Sequence, residues 1–170
     1  MPLHGLKAPE AKEKATTMTA RVDIHAFAPE ATRGFRQAHH DVVESGLDPR
    51  LLHLIDVRSS QINGCAFCLD MHTREAKASG DSDERLHLVA AWREAGDVFS
   101  AREQAALAWA EAVTEVSRTH VPDDVYEIAR KQFSEWELIY LTVAVATINA
   151  WNRMNVAFRT PPRMRALSGI

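Results

Sequence analysis

Chain breakers are scarce in this sequence. Glycine and proline number seven each among 170 residues, about 8% together where average usage is roughly 12%. Alanine, the best helix former, occurs 26 times, so the composition predicts helix and excludes collagen-like and low-complexity chains. Only two cysteines are present, Cys65 and Cys68, too few for a disulfide scaffold. Neither sign of charge dominates: 20 basic against 23 acidic residues leave a net −3 with histidine neutral. No basic stripe of the kind that binds nucleic acid is visible. No apolar run reaches the roughly 20 residues of a membrane span, and the polar start MPLHGLKAPEAKEKATTMTARV has no signal-peptide pattern. The expectation is a cytoplasmic protein without nucleic-acid or membrane partners, whose thiols stay reduced unless their own chemistry cycles them. A domain of this length buries roughly 70% of its unfolded surface and needs no staple.

What is there reads as helices. Residues 1–20 are polar and aperiodic, a flexible N-terminal arm with Met18 as a second possible start; residues 21–170 make one folded domain. Pro29 opens a helix that Gly46 closes, and Asp48-Pro49 caps another that runs to about Ile62 before Asn63-Gly64. Cys65 to about Ser79 forms the next, closed by Gly80, and Asp83 caps a shorter one to about Glu94. Ser100–Glu103 and Ser134–Glu137 are capping boxes, a serine and a glutamate serving each other's orphan amides. The helix after the first box carries Ala106, Trp109, Ala110, Val113 and Val116 on one stripe. Pro122, Asp123 and Asp124 start another, with acid where the helix dipole favours it. The run from Trp136 to Phe158 is nearly all apolar, which suits a central core helix or one buried at a subunit contact. No strand pattern is found, so the fold class is all-α, a single-domain bundle of six to seven helices.

The chemistry concentrates in Asn63-Gly64-Cys65-Ala66-Phe67-Cys68-Leu69-Asp70-Met71-His72. Asn-Gly ends one helix, so Cys65 falls in the first turn of the next, beside unsatisfied amides that favour a thiolate. Cys68 lies one turn on, within reach for a reversible disulfide, and His72 one turn further as a base. Other readings of the pair exist. A structural zinc site needs four ligands, and C-x₂-C-x₃-H offers three, with His87 or His120 the remaining candidates. A thioredoxin-like site needs a βαβ frame that the helical pattern leaves no room for. Two inert buried cysteines are the plainest alternative.

The run Ser60 to His72 resembles the core of the alkylhydroperoxidase D-like branch of the carboxymuconolactone decarboxylase superfamily. Glu103 to Ala112 and Ile148 to Arg153 resemble its later segments, and the similarity extends over about Arg21 to Arg159. The resemblance implies an all-helical homo-oligomer, a trimer or dimer-based hexamer, that reduces hydroperoxides with thiols and an external dithiol or protein reductant. It implies no metal and no organic cofactor. By position Cys68 corresponds to the peroxide-attacking thiol, Cys65 to the resolving thiol and His72 to part of the proton relay. The family's relay glutamate falls twelve residues before the first cysteine, where this chain has His53. An imidazole accepts a proton near neutral pH but supplies no fixed negative charge, which Asp56, one turn on, would provide. A dithiol adaptor that passes electrons to another protein, a redox-responsive oligomer, and lactone decarboxylation are the competing functions.

Remaining polar residues read as structural. Glu111, Asn149, Asn152 and Arg153 lie on otherwise apolar helices, which predicts a hydrogen-bonded network. His39, His40 and His87 read as solvated, and Trp92, Trp109, Trp136 and Trp151 as core or interface anchors. For the thiols, a dipole contribution of ~0.3–1 kcal/mol favours Cys65 as the thiolate. A base within reach of Cys68 shifts a thiol by more than that, which agrees with Cys68 as nucleophile.

Overall fold

In the computed structural model, which describes residues 19–163 apart from the side chain of His25, every regular element is helical. The expected arm and the alternative start at Met18 lie outside the described residues, except for Thr19 and Ala20. Helix α1 (Ile24–Phe27) and a 3-10 turn (Pro29–Thr32) lead into α2 (Arg33–Val43), followed by α3 (Pro49–Ile62) and α4 (Ala66–Ala78). Next come α5 (Asp83–Leu88), two 3-10 segments (Val89–Glu94 and Gly96–Val98) and α6 (Ala101–Thr114). The single turn α7 (Val116–Thr119), then α8 (Asp123–Gln132) and the 24-residue α9 (Glu135–Phe158), complete the chain. Setting aside the one-turn pieces α1 and α7, seven α-helices remain among the described residues, within the six to seven that the sequence pattern predicts.

Local chemistry sets the boundaries. The Asp48 side chain accepts from the Arg50 amide with Pro49 at the first helical position, and both predicted capping boxes form. Gly64 takes φ +63°, a left-handed conformation that lets the chain leave α3 and start α4 with three residues between them. Three expectations are corrected. Ser82, not Asp83, caps α5, because the serine hydroxyl accepts from the Arg85 amide while Asp83 sits in the first turn. The segment continuing to Glu94 is kinked at Ala91 and winds as a 3-10 helix. Val116 leaves the α6 stripe, since that helix ends at Thr114 and Val116 is 52% exposed on α7.

Helix α3 packs against α4, α6 and α9, and α9 also touches α2, α4, α6 and α8. Leu51, Ile55, Ala106, Trp109, Leu141 and Val145 form the main core between them, and Leu54, Val57, Val89, Phe99 and Leu107 a second one. Each such aliphatic side chain contributes about 1.5–3 kcal/mol by leaving water. The last helix is central on one face only: Trp136, Ile139 and Val143 form an exposed stripe on the other.

The expected polar network is present, in two parts. Glu111 accepts from Arg58 at 2.6 Å, from the Trp92 indole at 3.0 Å, and from Arg93. Separately, the Asn63 amide donates to the Oδ1 atoms of Asn149 (3.0 Å) and Asn152 (2.9 Å). Asn149 in turn donates to Thr114 (2.9 Å), and Asn152 to Ser60 (3.1 Å). This second part staples the α3–α4 turn to α6 and α9, and so fixes where α4 and its cysteines begin.

Candidate active site

Both cysteines are buried, at 2% (Cys65) and 1% (Cys68) exposed, and both thiols are free. Cys65 is the N-cap of α4 rather than a first-turn residue; its amide donates to the Ser60 carbonyl at 3.0 Å. Cys68 lies one turn inside α4 and lines a cavity of about 650 Å³ between α2, α3, α4 and α9. Val42, Leu52, Phe67, Ile148 and Trp151 give this cavity an apolar wall. His53, Asp56, His72, Glu75 and Asn155 bring polar groups to it. Cys65 is not among the lining residues. A second cavity, about 510 Å³ and bounded by Asp48, Arg85 and Glu103, has no thiol in its wall.

The two sulfurs stand in different electrostatic positions. The Cys68 S–H and backbone N–H donate to the Cys65 sulfur, as does the Asn152 amide, and together they outweigh burial and lower the Cys65 thiol to about 6. Cys68 is pushed up, first because its own proton is committed to Cys65 and then by burial. The Asn155 amide donates to the Cys68 sulfur at 3.4 Å. At rest the negative charge therefore favours Cys65, while the sulfur facing the cavity is Cys68.

His72 is 4% exposed, and its Nδ1 lies 2.8 Å from Glu75 Oε2 and 3.6 Å from Asp56 Oδ2. Burial alone would lower its pKa, but the Asp56 charge and the Glu75 hydrogen bond overcome this and raise it. The two carboxylates diverge. Burial drives Asp56 up to about 6 despite His72, whereas the hydrogen bond from His72 lowers Glu75. His53 Nε2 pairs with Ser79 Oγ at 3.2 Å, and burial lowers the pKa of this imidazole.

The fold thus brings Cys68, His72 and His53 to one cavity and seats Cys65 directly behind Cys68. The direct contact of His72 with Cys68 anticipated from their spacing is not formed: Nδ1 turns to the carboxylates, and the buried Nε2 has no hydrogen-bond partner. Asp56 stands beside His72, as its position one turn after His53 suggested. His39 and His87 are exposed as expected, although His39 reaches the cavity rim, and His120 is exposed on the α7–α8 loop. Two residues were missed. Glu75 is three residues after His72, the spacing that places two side chains together on a helix, and Asn155 continues the face of Asn152 by the same step.

An all-helical bundle with a buried dithiol on the wall of an apolar cavity defines the class of protein. The chain belongs to the carboxymuconolactone decarboxylase family, whose model matches residues 29–112. It is 35% identical over 140 residues to the uncharacterized protein YdfG of Bacillus subtilis, covering 82% of this chain and 95% of that one. A crystal structure of a protein of unknown function from Agrobacterium tumefaciens, suggested to be the antioxidant defence protein AhpD, is 40% identical with a TM-score of 0.83. That alignment covers 86% of this chain and all of the other. An uncharacterized peroxidase-related protein from Silicibacter sp. TM1040 shares the fold with a TM-score of 0.72 at 23% identity, over 82% of this chain and 73% of its own.

Proposed function

We propose that this protein reduces organic hydroperoxides with its cysteine pair. The observation that carries the reading is that Cys68 alone of the two sulfurs faces the apolar cavity, with Cys65 hydrogen-bonded behind it and His72 on the same wall. The AhpD and peroxidase-related descriptions of its structural relatives support the same reading. As the peroxide enters, the Cys68 proton passes to the Cys65 thiolate, and the Cys68 sulfur attacks the distal oxygen. The O–O bond breaks, and His72, whose hold on its proton Asp56 and Glu75 strengthen, protonates the departing alkoxide to give the alcohol. Cys68 is now a sulfenic acid; the Cys65 thiol displaces water from it and closes a disulfide. An external dithiol reopens the pair and becomes a disulfide itself, and the proton shed by Cys65 returns to His72. No step requires a metal or an organic cofactor.

The exposed stripe of Trp136, Ile139 and Val143 supports assembly into a closed homo-oligomer, a trimer or dimer-based hexamer. Among the described residues no helix is long and apolar enough to cross a membrane.

The test is to mix reduced protein with one equivalent of cumene hydroperoxide and count thiols. Loss of both thiols with release of the alcohol is expected, and retention of both while the peroxide persists overturns the reading in favour of a dithiol adaptor. Cys65→Ser should stop at a trappable sulfenic acid and Cys68→Ser should not react. A sulfenic acid on Cys65 in the latter would reverse the two roles.

A further inference from the structure

Besides the thiols, the cavity wall carries a group of donors with metal-ligand character. Helix α3 supplies His53 and Asp56 three residues apart, and α4 supplies His72 and Glu75 three residues apart, so two packed helices each present an imidazole and a carboxylate. Donor atoms of His53, Asp56 and His72 all lie within 4.8 Å of one another. We propose that His53, Asp56 and His72, with Glu75 as a further donor, form a binding site for a divalent first-row transition metal ion.

Distance, charge and donor type each support the site. Ligand atoms bound at about 2.0–2.2 Å around one ion stand roughly 3 Å apart, so small side-chain rotations close the gap. Glu75 already touches His72 at 2.8 Å, and its side chain is 46% exposed, which leaves it room to swing. With neutral imidazoles the group carries two negative charges, which a divalent ion balances. Two nitrogens with carboxylate oxygens suit zinc, iron(II), cobalt(II) or manganese(II) over calcium or magnesium. The hydrogen bond of His53 to Ser79 holds that ring in place, as an outer contact does for a metal-bound histidine. All four residues line the 650 Å³ cavity, which provides the entry path. The site is independent of the peroxide reading and competes with it for His72.

Zinc binding to the reduced full-length chain, measured by calorimetry, tests this, with cobalt(II) as a spectroscopic probe. The Cys65→Ser/Cys68→Ser protein should still bind one zinc per chain, and its cobalt complex should show ligand-field bands without a thiolate charge-transfer band. His53→Gln and Asp56→Asn should each weaken binding by at least about tenfold, with circular dichroism confirming the helical fold. Absence of zinc binding at micromolar concentrations, loss of binding in the double serine variant, or undiminished binding in His53→Gln would each overturn the proposal. Because the readout is binding, a failure of the peroxide reaction leaves it unaffected.

Discussion

Replacing Cys68 with alanine removes the donor that stabilises the Cys65 thiolate, and the consequences can be worked through. In the native pair Cys65 falls from an ordinary 9.0 to about 6, chiefly through the hydrogen bond from Cys68. At pH 7 a thiol of pKa about 6 is roughly ten parts thiolate to one of thiol; with the Cys68 S–H gone the largest cause of the lowering is lost, the residue-68 amide and Asn152 still donate, and burial pushes Cys65 upward, so a smaller fraction ionises. The same shift appears in stability. A pKa depressed by folding means that between pH 6 and 9 the unfolded chain holds a proton the folded chain lacks, so stability rises with pH across this window. The contribution is lost as pH falls through about 6. The raised pKa of His72 acts in the opposite direction, stabilising below its unfolded value and fading as pH rises; Asp56 and Glu75 raise it in both proteins, and the Cys65 charge adds to this in wild type. The difference between wild type and Cys68→Ala therefore reports Cys65 together with its smaller coupling to His72. The ultraviolet absorbance of the thiolate, followed against pH on reduced protein, should show one group near pH 6 in wild type and a clearly higher midpoint in the variant. Urea unfolding should show the stability gap widening by up to about 2 kcal/mol from pH 6 to pH 8. A wild-type Cys65 that titrates above pH 8, or a gap independent of pH, would refute the reasoning.

Asn155→Leu removes the amide that donates to the Cys68 sulfur; because Asn155 Oδ1 has no partner, stability should change by less than about 1 kcal/mol. Stopped-flow thiol oxidation should nonetheless slow by roughly tenfold, the weight of one hydrogen bond of about 1.4 kcal/mol to a reacting sulfur. Asn63→Ala leaves the buried Asn152 Oδ1 without its donor, while Arg153 still donates to Asn149 Oδ1, and should cost about 1–3 kcal/mol in urea titration. Ile139→Glu puts charge into the exposed stripe of α9, and light scattering should find it shifted toward the 19.0 kDa monomer with its helical circular dichroism retained.

Much of the fold was legible because its signals are local. A serine three residues before a glutamate, a proline after an aspartate, and an Asn-Gly pair each act on backbone atoms a few residues away, so the boundaries of α3, α6 and α9 follow from them. Val116 was misplaced for the complementary reason: it continues the α6 periodicity, but the helix stops at Thr114, short of it. By spacing alone the site was legible only in its α4 portion, while His53 and Asp56 of α3 entered through the family resemblance. Cys65, Cys68 and His72 share one helix, and helical spacing relates them directly.

The sequence by itself thus determined the helices, their caps and the presence of a dithiol with a histidine on one face, since each depends on neighbours along the chain. Tertiary structure decided what surrounds them. Only the packing of α3 against α4 sets Asp56 beside His72, and only the return of α9 brings Asn152 and Asn155 to the sulfurs from more than 80 residues away. Burial then assigns the charges: the same environment that raises Asp56 leaves Cys65 low, because Cys65 has hydrogen-bond donors directed at its sulfur while Asp56 has only the charge attraction of His72 and His39 to set against burial. Periodicity carries no information about such long-range neighbours, and it is they that set the protonation of each group in the cavity.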